Sequence, residues 1–141
     1  MIVQILTNFI VSGAFAVIFN VPLNSLLQCC LVGMIGRLLL ILLNNNNIDA
    51  VLATLSATFF LAVISQIFAK IYKTPTIIFT ISGIIPLVPG GLAYNATRNF
   101  VENHYDLAIQ FAAKALMTSG AIAVGLVLSE ALTQILKIRK A

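Results

Sequence analysis

Charged side chains are scarce in this sequence, since eight Lys or Arg and four Asp or Glu make up only 9% of its 141 residues. A soluble domain carries roughly 25% charged residues, so the composition excludes an ordinary water-soluble protein. Hydrophobic residues reach 60%, and the mean hydropathy is +1.06. Both values are typical of an integral membrane protein. The length leaves no room for a separate soluble domain, so we expect residues 1–141 to form a single transmembrane domain.

Residues that carry catalysis or bind metals are equally few. The only histidine is His104, and the two cysteines, Cys29 and Cys30, are adjacent in an apolar run, where they act as small apolar fillers. Neighbouring cysteines are poorly placed to bridge each other, and neither has partners at the spacing of a metal site. No Ser/His/Asp set and no phosphate-binding P-loop is present. The sequence therefore predicts neither an enzyme nor an ATP-driven pump, and no metal or other cofactor.

Long apolar runs make up most of the chain. A hydrocarbon core of about 30 Å needs about 20 apolar residues per helix, so this length allows four or five spans. The apolar segments are residues 2–19, 26–43, 51–69, 77–92 and 107–136. The sequence therefore predicts an all-α, polytopic integral membrane protein. It favours about five transmembrane helices over four, with the fourth segment broken.

Basic residues set the expected orientation. Lys70 and Lys73 lie in the loop before the fourth segment, and Lys137, Arg139 and Lys140 lie in the C-terminal tail. Cytoplasmic loops carry the excess of Lys and Arg, so both stretches should be cytoplasmic. They fall on the same side if the fourth and fifth segments both cross. Counting back through five spans places the N-terminus outside.

The fourth segment contains the stretch IIPLVPGGLAYN, which packs two prolines and two glycines into six positions. A proline lacks an N–H and clashes with the carbonyl four residues earlier. Pro86 therefore removes the helical partner of the Ser82 carbonyl, and Pro89 does the same for Ile85. The residue before a proline is also pushed away from helical angles, a rule that applies to Ile85 and Val88. The helix should stop near Ile85.

This break should lie at membrane depth, because residues 77–85 rise only about 13 Å as a helix, less than half of the hydrocarbon core. Freed backbone groups cannot face lipid, so they must be covered by protein or line a polar cavity. A helix resuming near Gly91 would point its first N–H groups and its positive dipole end into that cavity. Such an arrangement suits a carboxylate, and secondary transporters use broken helices as binding sites. The alternative is a proline kink within one continuous span.

Two charged residues lie inside apolar segments. Arg37 is in the second segment, where a central charge costs roughly 2.5–3.5 kcal/mol, and it either faces the protein interior or snorkels outward. Glu130 lies seven residues before Lys137, about 10 Å along a helix. Its carboxylate is a candidate for proton coupling or for contact with a substrate ammonium group, unless it forms an ion pair that aids packing. Gly120 and Gly125 in the last segment indicate a close helix contact.

Three motifs carry a family resemblance. FNVP (residues 19–22), KTP before the fourth segment and, above all, ISGIIPLVPGGLAYN resemble the C-terminal membrane half of the threonine/serine exporter family. The resemblance covers nearly the whole chain, and PLVPG is its most specific part. The length is similar to that of the small subunit of the split bacterial form, in which a larger membrane subunit supplies the other half. The candidate substrate-binding residues are Pro86, Leu87, Pro89, Gly90 and Gly91 of the motif, Tyr94 and Asn95 after it, and Arg37.

The resemblance implies a subunit of a secondary exporter in the bacterial inner membrane, driven by an ion gradient. The exported solutes would be small amino acids, threonine or serine, or small dicarboxylates such as succinate. Expected partners are the larger subunit or further copies of the chain, membrane lipid and the carboxylate solute, without nucleic acid. Backbone N–H groups after Gly90 would bind the solute carboxylate. Arg37, which would assist, and Glu130, the coupling candidate, are inferred from their positions in apolar segments and not from the family motif. The alternatives are a non-transporting scaffold subunit and an oligomeric channel.

Overall fold

The computed structural model describes residues 2–140, and their regular structure is entirely helical. Six α-helices follow one another: α1 (Ile2–Ile18), α2 (Leu23–Asn45), α3 (Ala50–Tyr72), α4 (Thr76–Ile84), α5 (Gly90–Val101) and α6 (Tyr105–Lys140), with a short 3-10 turn, Ile85–Leu87, between α4 and α5. Because residues 2–140 contain no strand, the expected all-α fold is confirmed.

Three of these helices, α2, α3 and α6, are long and apolar enough to cross a membrane. α4 and α5 pass the same test together, although they are bent by 46° at the break, so they form either a broken span or a re-entrant loop. α1 is apolar but has only 17 residues. A polytopic membrane protein with a broken fourth segment is therefore confirmed, whereas the count of five spans stays a prediction.

One stretch that the sequence indicated as a loop is partly helical. α3 continues to Tyr72, so Lys70 lies in a helix, and the connection to α4 begins at Lys73 with a left-handed φ of 52°. The polar stretch after residue 93 is helical as well, since α5 continues to Val101. Polarity alone placed Lys70 in a loop. A helix nevertheless satisfies its own backbone hydrogen bonds and lets long polar side chains extend away from apolar surroundings.

Small residues bring α1, α2 and α4 into close contact. A Cβ atom placed on Gly33 of α2 would lie 1.7 Å from Ser12 Oγ of α1, and one placed on Gly83 of α4 would lie 2.8 Å from a methyl carbon of α2. Helices in lipid lack a hydrophobic driving force toward each other, so their association relies on such close packing. The fully buried side chains of Leu61 and Phe79 complete this core.

α6 packs along α3, and α5 folds back onto α6. A Cβ atom on Gly125 would lie 2.9 Å from the Leu55 carbonyl oxygen of α3, which confirms the expected close contact at that position. Gly120 differs, because no atom of the described residues lies within 4 Å of its Cβ position. The expectation of a close contact within the chain was wrong there, since this face of α6 is exposed.

Candidate functional site

The break between α4 and α5 forms where the sequence predicts it. α4 ends at Ile84, Pro86 lies in the 3-10 turn, and α5 begins at Gly90. Val88 is extended, with φ −61° and ψ 132°, as expected for a residue before proline. Ile85 keeps right-handed helical angles, φ −51° and ψ −44°, so the same expectation was wrong for that residue. The 3-10 turn accommodates the proline ring, because a proline is tolerated in the first turn of a helix.

Both carbonyl groups that the prolines deprive of helical partners are covered by protein. The Val88 N–H donates to the carbonyl oxygens of Ile84 and Ile85, each at 3.2 Å. The Ser82 carbonyl oxygen faces α2, because it lies 3.6 Å from the Cβ position of Gly33. Covering by protein is one of the two arrangements that an interrupted backbone at membrane depth allows.

Leu87 anchors the break to the rest of the bundle. Its side chain is 3% exposed, and its Cδ1 lies 3.5 Å from the Cβ position of Gly36 in α2. Pro86 and Pro89 on either side of it are half-buried. Leu87 therefore contributes packing, and it fixes the start of α5 relative to α2.

The start of α5 is open at the surface of the chain. Gly90 and Gly91 are exposed, and no atom of residues 2–140 lies within 4 Å of either Cβ position. The Gly90 N–H donates to the Val88 carbonyl oxygen at 2.8 Å. Within the described chain, the next two amides, of Gly91 and Leu92, donate to no backbone carbonyl outside α5. Such N-terminal donors carry partial positive charge, so this end of α5 is suited to an anion.

Tyr94 and Asn95 extend this open surface along α5. Tyr94 is 66% exposed. Asn95 is half-buried, and its backbone carbonyl accepts a hydrogen bond from Asn99 Nδ2 at 2.7 Å. Positions three and four apart share a helix face, so both residues lie on the same side of α5 as Gly91. The structure therefore brings most of the candidate motif residues together at one helix end.

Arg37 lies at the level of the break. It follows Gly36, whose Cβ position is 3.5 Å from Leu87 Cδ1. The Arg37 side chain is half-buried, and its buried Nε has no hydrogen-bond partner among residues 2–140. No carboxylate of that range lies within 4.0 Å of it, so Arg37 and Glu130 are not paired.

A second polar cluster lies between α3, α4 and α6. Gln66 of α3 donates from Nε2 to Ser129 Oγ at 3.3 Å and to Glu130 Oε2 at 3.5 Å. Gln66 Oε1 accepts a hydrogen bond from the Thr133 hydroxyl. A cavity of about 460 Å³ adjoins Gln66 and Glu130 and is lined on the α4 side by Thr76, Ile77 and Thr80. We call Gln66, Thr76, Thr80, Ser129, Glu130 and Thr133 the polar groove.

Two lysines lie at one end of the polar groove. Lys70 and Lys137 line an adjoining cavity of about 180 Å³ together with Gln66 and Glu130. Yet no lysine or arginine nitrogen of the described residues lies within 4.0 Å of the Glu130 carboxylate. Within this part of the chain, Glu130 is therefore hydrogen-bonded and not ion-paired.

Sequence reasoning found Glu130 but missed its neighbours. Gln66 is the only amide side chain in the third apolar segment, and Thr76 and Thr80 are one helical turn apart. These signals are present in the sequence, since isolated polar residues in apolar helices tend to face the bundle interior. Their meeting with Glu130 depends on how three helices pack, which helical periodicity alone does not predict.

Metal-ligating side chains are dispersed in the described chain. No group of three His, Cys, Asp or Glu within residues 2–140 is arranged to hold an ion. His104 is exposed, and its Nδ1 lies 3.9 Å from Glu102 Oε2. Cys29 and Cys30 are buried free thiols. The described residues therefore offer hydrogen-bonding groups and single charges for binding.

The helical bundle is that of a polytopic membrane protein, and an interrupted membrane segment with polar residues beside it is an arrangement that secondary transporters use. A family model described as Threonine/Serine exporter, ThrE, matches residues 4–132. The chain therefore belongs to the threonine/serine exporter family, in agreement with the resemblance of its motifs.

A relative from Haemophilus influenzae, described as an uncharacterized protein, is 33% identical over 91 residues. The match covers 64% of this chain but only 31% of the relative. The matched region thus spans about a third of a considerably longer protein. No solved structure matches the chain.

Proposed function

We propose that this chain is one subunit of a secondary exporter in the bacterial inner membrane. The exported solutes are small amino acids, threonine or serine, or small dicarboxylates such as succinate. Membership of the exporter family supports transport. The match covers only 31% of the Haemophilus influenzae relative, which supports a transporter with a second half that this chain does not supply. Alternating-access carriers bring two repeats together around the solute. The partner is a larger membrane subunit of the same family or a second copy of this chain.

The observation that carries this proposal is the open start of α5. Gly90 and Gly91 are exposed and follow a break that Leu87 ties to the bundle. Among the described residues, the amides of Gly91 and Leu92 donate to no backbone carbonyl outside α5. A helix N-terminus binds anions because its free N–H groups and its dipole both favour negative charge. The solute carboxylate binds there, while Pro86 and Pro89 hold the backbone in the broken conformation.

Arg37, Tyr94 and Asn95 complete the proposed binding site. The unpartnered Nε of Arg37 supports a role in binding, because a guanidinium binds a carboxylate through two parallel hydrogen bonds. Tyr94 and Asn95 offer a hydroxyl and an amide to the rest of the solute. Polar groups on this exposed face would be unsatisfied against lipid, so the partner subunit closes the site from the other side.

Export against a gradient requires an energy source, which we propose to be an ion gradient. Glu130 is the coupling candidate, because its carboxylate lies in a largely apolar helix where an ionisable side chain marks an ion or substrate pathway. The basic end of α6, with Lys137, Arg139 and Lys140, is assigned to the cytoplasm. With five spans, the N-terminus lies in the periplasm.

The variant Gly90→Leu tests this proposal. Leucine at this position meets no atom of the described chain within 4 Å of its Cβ, so the fold should persist while the carboxylate site is blocked. Export of threonine and of succinate should fall about tenfold or more. Export is measured from loaded cells, and assembly is measured by co-purification with the partner subunit.

Gly120→Leu is the matched control, because Gly120 is equally open within the chain. This variant should export normally. Loss of assembly in Gly90→Leu would favour a scaffold role over transport. Flux that is insensitive to an ionophore would indicate an oligomeric channel instead of a carrier.

A further inference from the structure

Within residues 2–140, four of the six N–H and O–H donors of the polar groove are committed to acceptors of the chain, and the hydroxyls of Thr76 and Ser129 are not. The side-chain amide of Gln66 has two N–H groups, and these donate to Ser129 Oγ and Glu130 Oε2. The Thr133 hydroxyl donates to Gln66 Oε1. The Thr80 hydroxyl donates to the Thr76 carbonyl oxygen at 3.0 Å.

Besides those two hydroxyls, the groups that remain in the polar groove are acceptors. Glu130 Oε1 accepts no hydrogen bond from the part of the chain between residues 2 and 140. A hydroxyl that has donated its single hydrogen keeps two lone pairs, so Thr80 presents oxygen to the cavity that it lines with Glu130. An ionised carboxylate and hydroxyl oxygens are the ligands that hard cations prefer. The polar groove therefore favours a positive charge.

Neutralisation of Glu130 within the chain is incomplete. Lys70 and Lys137 line the adjoining cavity, but neither ammonium nitrogen lies within 4.0 Å of the carboxylate. Glu130 lies about 10 Å along the helix from Lys137, inside a helix apolar enough to span a membrane. An unneutralised carboxylate at such a position is costly and marks an ion or substrate pathway.

We propose that the polar groove binds a small monovalent cation, either free Na⁺ or the ammonium group of the solute, with Glu130 as the charged ligand. Thr80 supplies a second oxygen, and Gln66 is a positioning residue that holds the carboxylate toward α4. The cavity of about 460 Å³ lies within the range of roughly 300–1,000 Å³ that is usual for ligand pockets. The role of this cation in export rests on the proposed function, but its binding to Glu130 does not.

The test measures thermal stabilisation of the full chain, purified in detergent in the assembly that it forms. A ligand that binds only the folded state stabilises it by RT ln(1 + [L]/Kd), so the unfolding temperature rises with ligand concentration above Kd. The probes are NaCl against choline chloride at equal ionic strength, and L-threonine against succinate, which has carboxylates but no ammonium group. Stabilisation by Na⁺ assigns the site to a free ion. Stabilisation by threonine that is lost in Glu130→Gln, while any stabilisation by succinate is kept, assigns the site to the solute ammonium group.

Glu130→Gln should weaken the affinity for the stabilising cation about tenfold or more. Glu102→Gln is the matched control, since Glu102 is an exposed carboxylate paired with Arg98 at 2.9 Å and remote from the polar groove in sequence; it should keep the full response. Lys137→Gln removes a neighbouring positive charge and should strengthen the response. The proposal would be overturned if neither Na⁺ nor threonine stabilised the wild-type chain. It would also be overturned if Glu130→Gln responded like wild type.

The same experiment separates this inference from the export function. Gly90→Leu should lose export but keep the cation response, because the start of α5 and the polar groove share no residue. If the wild-type complex exports neither solute while the Glu130-dependent response persists, the export proposal fails and the cation site stands. If export is intact in Glu130→Gln and no cation stabilises the chain, the cation site fails and export stands.

Discussion

The glycines of this protein fall into two groups that differ in what surrounds them. A Cβ atom placed on any member of the packed group would lie between 1.7 and 2.9 Å from another atom, and on any member of the open group it would meet nothing within 4 Å. The packed group is Gly13, Gly33, Gly36, Gly83 and Gly125, and the open group is Gly90, Gly91 and Gly120. The same residue type therefore serves close helix packing in one region and leaves an accessible surface in the other.

The two groups follow the division of the molecule into a closed side and an open side. The closed side is the contact of α1, α2 and α4 and the contact of α3 with α6, where glycines allow the backbones to approach. The open side contains the start of α5, a helix with no buried residue, and the exposed face of α6 at Gly120. Substitutions in the packed group should therefore reduce stability, whereas substitutions at the break should reduce export.

The largest effect should come from Gly33→Val. Its Cβ would lie 1.7 Å from Ser12 Oγ and 2.6 Å from Ser12 Cβ, and both helices belong to the closed side. Overpacking of this kind costs about 1–3 kcal/mol or more, which is a large part of a marginal stability. We expect little folded, monodisperse protein after detergent extraction, measured by size-exclusion chromatography of equal membrane amounts.

Gly120→Val is the control for that variant, because a Cβ atom at this open position has no atom of the described chain within 4 Å outside the neighbouring backbone of α6. It should give the wild-type yield of folded protein. Equal yields from Gly33→Val and Gly120→Val would remove the basis for dividing the glycines into two groups.

A smaller effect is expected from Thr133→Val at the contact of α3 with α6. The substitution keeps the side-chain volume and removes the hydroxyl that donates to Gln66 Oε1. Interhelical hydrogen bonds in membranes contribute on average about 0.6 kcal/mol, with a maximum of about 1.7. The loss of unfolding free energy, measured by titration with a denaturing detergent, should lie in that range.

Thr118→Val on the same helix is the matched control. The Thr118 hydroxyl donates to the Lys114 carbonyl within α6 at 2.8 Å, so this variant reports the loss of a bond inside one helix. Thr133→Val should be the more destabilising of the two. If both cost the same, the bond between Gln66 and Thr133 does not hold α3 to α6.

The break was predictable from sequence because its causes are local. Pro86 and Pro89 act on the backbone groups of their near neighbours, and α4 and α5 end and begin within one residue of the expected positions. The helical angles of Ile85 were not predictable in the same way. Ile85 lies in the 3-10 turn with Pro86 and Leu87, and the general preference of a residue before proline does not specify such a turn.

The polar groove was not predictable because its members are distant in the chain. Gln66 and Glu130 are 64 positions apart, and their contact requires α3 and α6 to pack in one particular rotation. Gly120 and Gly125 also show that helix packing limits what the sequence can predict. A small residue in an apolar helix permits a close contact but does not specify a partner, and Gly125 has one while Gly120 has none within the described chain.

The central claim is that the start of α5 is an accessible site for the solute, and thiol labelling of Gly91→Cys tests it most directly. A membrane-impermeant reagent should label this variant in the assembled complex, while Cys29 and Cys30 are buried and should give little background. Saturating threonine or succinate should slow the labelling of Gly91→Cys and should not change that of Gly120→Cys. Labelling of Gly91→Cys at the same rate with and without either solute would contradict the claim.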